Sequence, residues 1–202
     1  MNTERVKRPK PRPTWTDIKG KLSQFDRAGL TQLVADLYAF HKDNQAFLHA
    51  RFGLGQNPLA DYKKRIDAAL APDIYRKGHR AVSVATAKKA ISEYTKAVSD
   101  PMGTLELRVF WCETAVKFST ECDFVDIGYL DALVLQYREA CRTLSALSEP
   151  QLTDYIERLT GIRDDADMGY GVFDYMNDVL GDALMNLPPV KVEARIPLLD
   201  ED

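Results

Sequence analysis

The chain has 202 residues, of which 45% are hydrophobic and 28% charged, and its net charge is −3. This length suffices for a hydrophobic core, and the composition is ordinary for a soluble globular protein. No apolar run approaches the roughly 18–20 residues that span a bilayer, so we expect no membrane partner. The three cysteines form no CxxC pair, which disfavours a disulfide framework and predicts a reducing, cytoplasmic location.

The first 14 residues form a basic, proline-rich arm. It contains Arg5, Lys7, Arg8, Lys10 and Arg12 against Glu4, with Pro9, Pro11 and Pro13 at alternating positions. Alternating prolines forbid an α-helix and favour an extended, solvated backbone. No apolar segment follows, so the arm is not a secretory signal. We predict a disordered arm over 1–14; the alternative is a basic arm that contacts nucleic acid.

After the arm, apolar residues recur at the three- and four-residue spacing of amphipathic α-helices. Asp26, Asn44 and Ser148 are typical N-caps, and Pro58 fits the first turn of a helix. The predicted helices are 27–41, 45–52, 58–70, 81–99, 104–121, 127–144, 149–160 and 172–187.

The first predicted helix carries a stripe of five apolar side chains, Leu30, Leu33, Val34, Leu37 and Tyr38. Side chains at this spacing lie on one face of an α-helix, and we expect that face to be buried. The pattern of residues 22–37 returns in residues 144–159, at an offset of 122. A repeated pattern of this kind indicates either two related helical units or the ordinary start of a capped amphipathic helix. We favour the second interpretation.

The predicted helix 104–121 has two apolar stripes, so few of its side chains are left for water. A helix with two buried stripes has neighbours on two sides, and we expect it to be the central element. Trp111 lies on one stripe and Tyr137 on the seam of the next helix. We predict both in the main core, with Cys112 and Cys141 buried as small hydrophobic residues.

These patterns predict an all-α fold: a single-domain array of about eight amphipathic helices over 15–187, arranged as a bundle or a short α-solenoid. The arm 1–14 precedes this domain, and an extended tail, 188–202, follows it. We expect the fold to need neither a metal nor a disulfide.

No residue pattern has the spacing of a catalytic, cofactor-binding or metal site, so we predict none. His41, His49 and His79 have no chelating neighbour at i+3 or i+4, and His41 falls on the inner stripe of its helix. The acidic segment 164–167 lacks the spacing of a calcium loop. The glycines at 169 and 171 do not match a phosphate-binding loop.

Glu113 is the one carboxylate that remains a candidate general base. It lies four residues before Lys117, in the favoured orientation for a helical ion pair, and we favour that structural role. An enzyme that uses Glu113 is therefore the third of three functional hypotheses.

Charge is segregated along the chain. Residues 62–96 contain nine basic and three acidic side chains, whereas residues 149–182 contain two basic and nine acidic ones. Segregation of this kind is typical of solvated faces, and it is also required of a polyanion-binding surface or an interface between protein chains. The candidate interaction patch consists of Lys63, Lys64, Arg76, Lys77, Arg80, Lys88 and Lys89.

The first hypothesis is a non-enzymatic helical binding or scaffold protein that contacts a protein partner or a second copy of itself. The alternative is non-specific nucleic-acid binding through the basic segment 62–96 and the arm. Tyr62 and Tyr94 fall on inner stripes of their helices, which leaves that segment without aromatic side chains to stack on bases.

Several short segments of the sequence resemble those of a known family. They are clearest at Trp111-Cys112-Glu113-Thr114 with Phe118, and at 126–129, and further ones lie at 15–19, 30–38, 47–52, 62–66 and 87–91. Over about residues 15–147 the chain resembles an uncharacterised bacterial family of helical proteins, a domain of unknown function. The resemblance implies an all-helical fold and supplies no catalytic residue. This chain departs from the family pattern at 122–125, where a glycine is expected before the acidic turn.

Overall fold

The computed structural model describes residues 12–54, 57–78 and 81–187. Over these residues the chain is all-helical, with nine α-helices, one 3-10 helix and no strand, which confirms the predicted fold class. The helices are α1 (Trp15–Leu22), α2 (Arg27–Phe40), α3 (Lys42–Arg51), α4 (Pro58–Leu70), α5 (Val84–Val98), α6 (Pro101–Cys122), α7 (Ile127–Cys141), α8 (Glu149–Asp164) and α9 (Val172–Met185), with the 3-10 helix at Leu144–Ala146. The predicted tail 188–202 and residues 1–11 of the predicted arm lie outside the described part of the chain.

The chain divides into two compact units, Met1–Leu48 and His49–Asp202. The first contains α1, which no sequence pattern predicted. Its apolar residues Trp15, Ile18 and Leu22 have helical spacing, but eight residues are too few for that spacing to identify a helix, and none of them is buried. Its first turn is closed by the backbone N–H of Thr14, which donates to Asp17 Oδ2 at 2.7 Å.

The start of α3 corrects two predictions. The helix begins at Lys42, not after Asn44. Nδ1 of His41 accepts a hydrogen bond from the backbone N–H of Asp43 at 3.1 Å, and His41 is exposed rather than on a buried stripe. The Asn44 side chain donates back to the carbonyl oxygen of Leu37 at 2.7 Å. A side chain with the chemistry of an N-cap therefore ties α3 to the end of α2.

Side-chain caps decide where other helices begin. Asp26 caps α2 as predicted, and Pro58 occupies the first turn of α4, where Asn57 is the cap. Asp100 accepts a hydrogen bond from the backbone of the second residue after it, so α6 begins at Pro101 and not at the predicted residue 104. Proline is compatible with this position because the first helical N–H groups have no partner within the helix.

α6 is the central helix of the second unit, as predicted. It packs against α4, α5, α7 and α8, whereas α9 packs against α7 and α8. α8 continues to Asp164, past its predicted end at 160, because Ile162 extends its buried stripe beyond Gly161. Although α6 has 22 residues, neither it nor any other helix of the described segments is long and apolar enough to cross a membrane.

Large aromatic side chains link the helices of this unit. Trp111 and Tyr137 are 1% and 0% exposed, which confirms that both belong to the core. The Tyr137 hydroxyl donates to the carbonyl oxygen of Leu159 at 2.9 Å and so joins α7 to α8. The Tyr129 hydroxyl donates to the carbonyl oxygen of Leu70 at 3.2 Å and joins α7 to the end of α4.

The melting temperature of the protein should not respond to a chelator or a reductant. Cys112 and Cys141 are buried, and burial raises the pKa of both thiols, that of Cys141 to about 12. Within the described ranges, no group of three or more His, Cys, Asp or Glu side chains could hold a metal. Circular dichroism melts with and without EDTA or dithiothreitol test this expectation. A decrease of more than about 5 °C, on the order of 2 kcal/mol for a chain of this length, would contradict it.

Candidate interaction surfaces

Within the first unit, α2 presents an apolar surface that the other residues of that unit leave largely exposed. We call the surface formed by Leu30, Leu33, Val34, Leu37 and Tyr38 the α2 face. Leu30, Val34 and Leu37 are 40%, 45% and 50% exposed, and no residue of α2 is buried. The prediction that this stripe is buried was therefore wrong for the chain as described. Further exposed apolar side chains of the same unit are Trp15, Ile18, Phe25, Phe40 and Phe47.

The charge on α2 limits what can cover this face. Among its 14 residues, Arg27 is the only cation and Asp36 the only carboxylate. A helix that lies on a membrane or on nucleic acid carries several Lys or Arg side chains on its polar side. α2 does not, because most residues on the side opposite the α2 face are uncharged, with Asp36 as the exception. Exposed apolar patches are typical of sites that contact proteins, membranes or ligands, and the low charge of α2 favours a protein contact.

The seven basic residues of the predicted interaction patch do not form one surface of unpaired charges. Lys63 points toward α6, where its Nζ lies 2.6 Å from Glu106 Oε1 and 5.0 Å from the centre of the Phe110 ring. Lys89 pairs with Glu93 at 3.4 Å. The exposed members are Lys64, Arg76, Lys77, Lys88 and Lys89, although Lys89 is paired, and Arg80 lies outside the described residues. The basic segment is therefore partly neutralised by carboxylates of α5 and α6.

Glu106 is the centre of an ion network that no local pattern predicted. Its carboxylate accepts hydrogen bonds from Lys63 of α4 and from Tyr155 and Arg158 of α8, at 2.6–2.9 Å. Burial alone would raise the pKa of Glu106, but the hydrogen bonds from Arg158 and Lys63 outweigh burial and lower it from 4.5 to about 2. The ionised carboxylate thus ties α4, α6 and α8 together.

Glu113 belongs to the same network. Arg158 Nε donates to Glu113 Oε1 at 2.8 Å, whereas Lys117, its predicted partner, lies 3.9 Å from Glu121. Glu113 lines two open clefts beside α6, of about 480 and 500 Å³. None of the described histidines lines either cleft, and the guanidinium already engages the carboxylate. The geometry is that of a structural link between α6 and α8.

A separate groove lies between the starts of α7 and α9. It has a volume of about 390 Å³, and its lining includes Ile127, Asp131, Val134, Tyr170 and Tyr175. We call it the Tyr170 groove. Tyr170 and the glycines on both sides of it all have positive φ, of 75°, 56° and 71° in chain order. An aromatic residue in this left-handed region is a backbone outlier. In the sequence, the signal for this left-handed backbone is the pair of glycines on either side of Tyr170.

No protein-family model, curated protein or solved structure matches this chain. The resemblance to a bacterial helical family therefore stays a prediction. The function has to be inferred from the surfaces of the molecule.

Proposed function

We propose that this protein is a helical scaffold protein that self-associates through the α2 face. The observation that carries the proposal is an apolar stripe with four of its five side chains exposed, Leu33 being the half-buried one, on a helix with only two charged side chains. A 14-residue helix is marginally stable by itself in water and gains most of its stability from packing of its apolar face. A partner that covers the α2 face supplies this packing.

The partner that fits best is another helix. α8 has the same apolar spacing as α2 at an offset of 122 residues, and its Leu152, Tyr155 and Leu159 are buried against neighbouring helices. From Leu30 to Phe40, α2 keeps the alternating three- and four-residue spacing of a helix that packs along a second helix. The α2 face thus has the pattern of a helix–helix contact.

A second copy of the chain supplies a matching helix, namely α2 itself. In a two-fold symmetric contact the same patch lies on both sides. Two α2 helices bring no cluster of like charges together, because Arg27 and Asp36 are their only charged residues. The exposed parts of the α2 face and Phe40 amount to roughly 400 Å² per copy. A standard interface needs about 800 Å² per partner, so we expect a weak, concentration-dependent dimer.

The substitution Leu37→Glu should weaken this dimer at least about 100-fold, which corresponds to roughly 2.7 kcal/mol. It places a carboxylate inside an apolar contact, where the charge loses its hydration, and the symmetry repeats this cost on the other copy. The matched control is Ala35→Glu, which adds the same charge to the exposed opposite side of α2. Sedimentation equilibrium or light scattering over a concentration series gives both dissociation constants.

Two results would overturn the proposal. One is a wild-type chain that remains monomeric up to about 1 mM, which corresponds to an association free energy weaker than about −4 kcal/mol. The other is an equal effect of Leu37→Glu and Ala35→Glu, because general charge repulsion would then explain the loss. The helical circular dichroism of both variants establishes that they are folded.

The remaining hypotheses receive less support from the described residues. Nucleic-acid binding through residues 62–96 would use Lys63 and Lys89, yet Glu106 and Glu93 already pair with them, which reduces the charge available to phosphates. We also infer a cytoplasmic location, because the three cysteines are free thiols.

A further inference from the structure

We propose that the Tyr170 groove binds the basic, proline-rich arm of a second copy of the chain, residues 1–14. This contact uses a different surface from the α2 face. It neither requires nor excludes the α2 dimer, and it can be tested separately. The backbone at Tyr170, the chemistry of the groove and the charge of the arm support it.

The backbone presents Tyr170 in a way that packing does not explain. A left-handed conformation costs free energy for any residue with a Cβ, and the cost is highest for bulky side chains. In many turns a buried side chain offsets such strain, but Tyr170 is 75% exposed. Gly169 and Gly171 build a turn of three left-handed residues that places this ring at the surface. Strained residues of this kind cluster at ligand contacts.

The groove offers flat aromatic and aliphatic surface. Tyr170 and Tyr175 line it from the α9 side, and Ile127 and Val134 line it from α7. Ile127 is exposed although it is the first residue of a helix with a largely buried seam. Tyrosine side chains are enriched at protein contacts because they offer a large rigid ring together with a polar end.

One carboxylate lines this apolar surface, and two more are exposed on α9. Asp131 of α7 lines the groove, and Asp174 and Asp178 are exposed on α9 next to Tyr175 and one turn beyond it. Among the described residues, no lysine or arginine lines the groove, although Nη1 of Arg138 donates to the Tyr175 hydroxyl at 3.3 Å. The groove therefore favours a ligand that is both cationic and able to contact tyrosine rings.

The arm has this complementary chemistry. Its 14 residues contain five cations and one carboxylate, with prolines at positions 9, 11 and 13. Proline-rich segments bind aromatic-lined grooves because they lose little conformational entropy on binding. The Lys and Arg side chains between the prolines can pack on the tyrosine rings and pair with the carboxylates. A second copy brings such an arm to each groove.

A synthetic peptide of residues 1–14 can stand in for the arm of a second copy. The receptor is the full chain with Arg5, Lys7, Arg8 and Lys10 replaced by alanine, so that its own arms neither compete nor attract the peptide. We expect saturable binding of one labelled peptide per chain, measured by fluorescence anisotropy at about 20 mM salt. Affinity should fall at least about fivefold at 200 mM salt, because salt screens exposed charges.

Variants of this receptor identify the groove. Tyr170→Gly should bind the peptide at least about tenfold more weakly, while its melting temperature stays equal or increases, because glycine adopts positive φ without strain. The matched control is Tyr75→Ala, which removes an 83% exposed tyrosine from the loop after α4 and should leave binding unchanged. Leu37→Glu should also leave peptide binding unchanged, which separates this contact from the α2 dimer.

Three outcomes would overturn the inference. The first is the absence of binding at low salt, and the second is binding that Tyr170→Gly does not weaken. The third is equal affinity for a peptide in which alanine replaces the three prolines, because recognition would then depend on charge alone.

Discussion

Replacing Trp111 with alanine should lower the free energy of unfolding by about 3–5 kcal/mol. The side chain is 1% exposed and lies on the central helix α6, which four other helices contact. Its removal leaves a cavity that these helices cannot fill without moving, in addition to the lost transfer free energy of the ring. Domains of this size are stable by about 5–15 kcal/mol, so the variant should be partly unfolded near 37 °C.

Urea titration followed by circular dichroism measures this loss. Trp15→Ala is the matched control, because Trp15 is 69% exposed and should cost less than about 1 kcal/mol. The loss in the free energy of unfolding for Trp111→Phe should lie between the losses for Trp111→Ala and Trp15→Ala. The indole Nε1 has no hydrogen-bond partner among the described residues, so its removal leaves no protein acceptor unsatisfied. Equal losses for the alanine variants at the two tryptophans would contradict the central position of α6.

The second large effect is expected at Glu106. Glu106→Gln should destabilise the protein by about 3 kcal/mol, because it leaves Lys63 partly buried without its carboxylate and leaves Arg158 with Glu113 alone. Tyr155 also loses the charged acceptor of its hydroxyl. The isosteric amide keeps the volume of the side chain, so the loss reports on charge and hydrogen bonding rather than on packing.

The same carboxylate should make the protein sensitive to acid. The pKa of Glu106 is lowered by its partners to about 2 in the folded chain, from an ordinary value of 4.5. The unfolded chain therefore binds the proton first, and folding stability falls as the pH decreases from about 5 to 2. A shift of this size corresponds to about 3 kcal/mol. Above pH 5 the contribution of Glu106 is complete and independent of pH.

Unfolding measurements at several pH values between 7 and 3 distinguish this effect from general acid denaturation. Glu106→Gln should show a smaller loss of stability over this interval than the wild type. The control is Glu121→Gln, an exposed partner of Lys117, which should change stability by less than about 0.5 kcal/mol. Identical pH profiles for the wild type and Glu106→Gln would contradict the role of Glu106 as the centre of the network.

Much of the secondary structure was predictable because its causes are local. Asp26 and Pro58 act through hydrogen bonds and dihedral angles within three residues, and both define helix starts as predicted. The apolar periodicity of α6 predicted a central helix, because two apolar stripes need neighbours on two sides. Local reasoning failed at Asn44, whose side chain reaches back across the helix boundary to Leu37.

The network around Glu106 could not be predicted from the sequence. Arg158 is 52 residues from Glu106 and 45 from Glu113, and only the packing of α8 on α6 brings these charges together. From spacing alone, Lys117 was the natural partner of Glu113. A partner on a neighbouring helix prevailed because its guanidinium is held in place by two carboxylates in a partly buried site.

The sequence by itself determined that the chain is helical and which face of each helix is apolar, because both follow from spacing and caps along one segment. Only the tertiary structure decided which of those faces are covered. α2 and α8 carry the same pattern, yet Leu159 is buried and its counterpart Leu37 is half exposed. The physical reason is that burial depends on which other segments pack against a stripe, and the stripe itself contains no information about them.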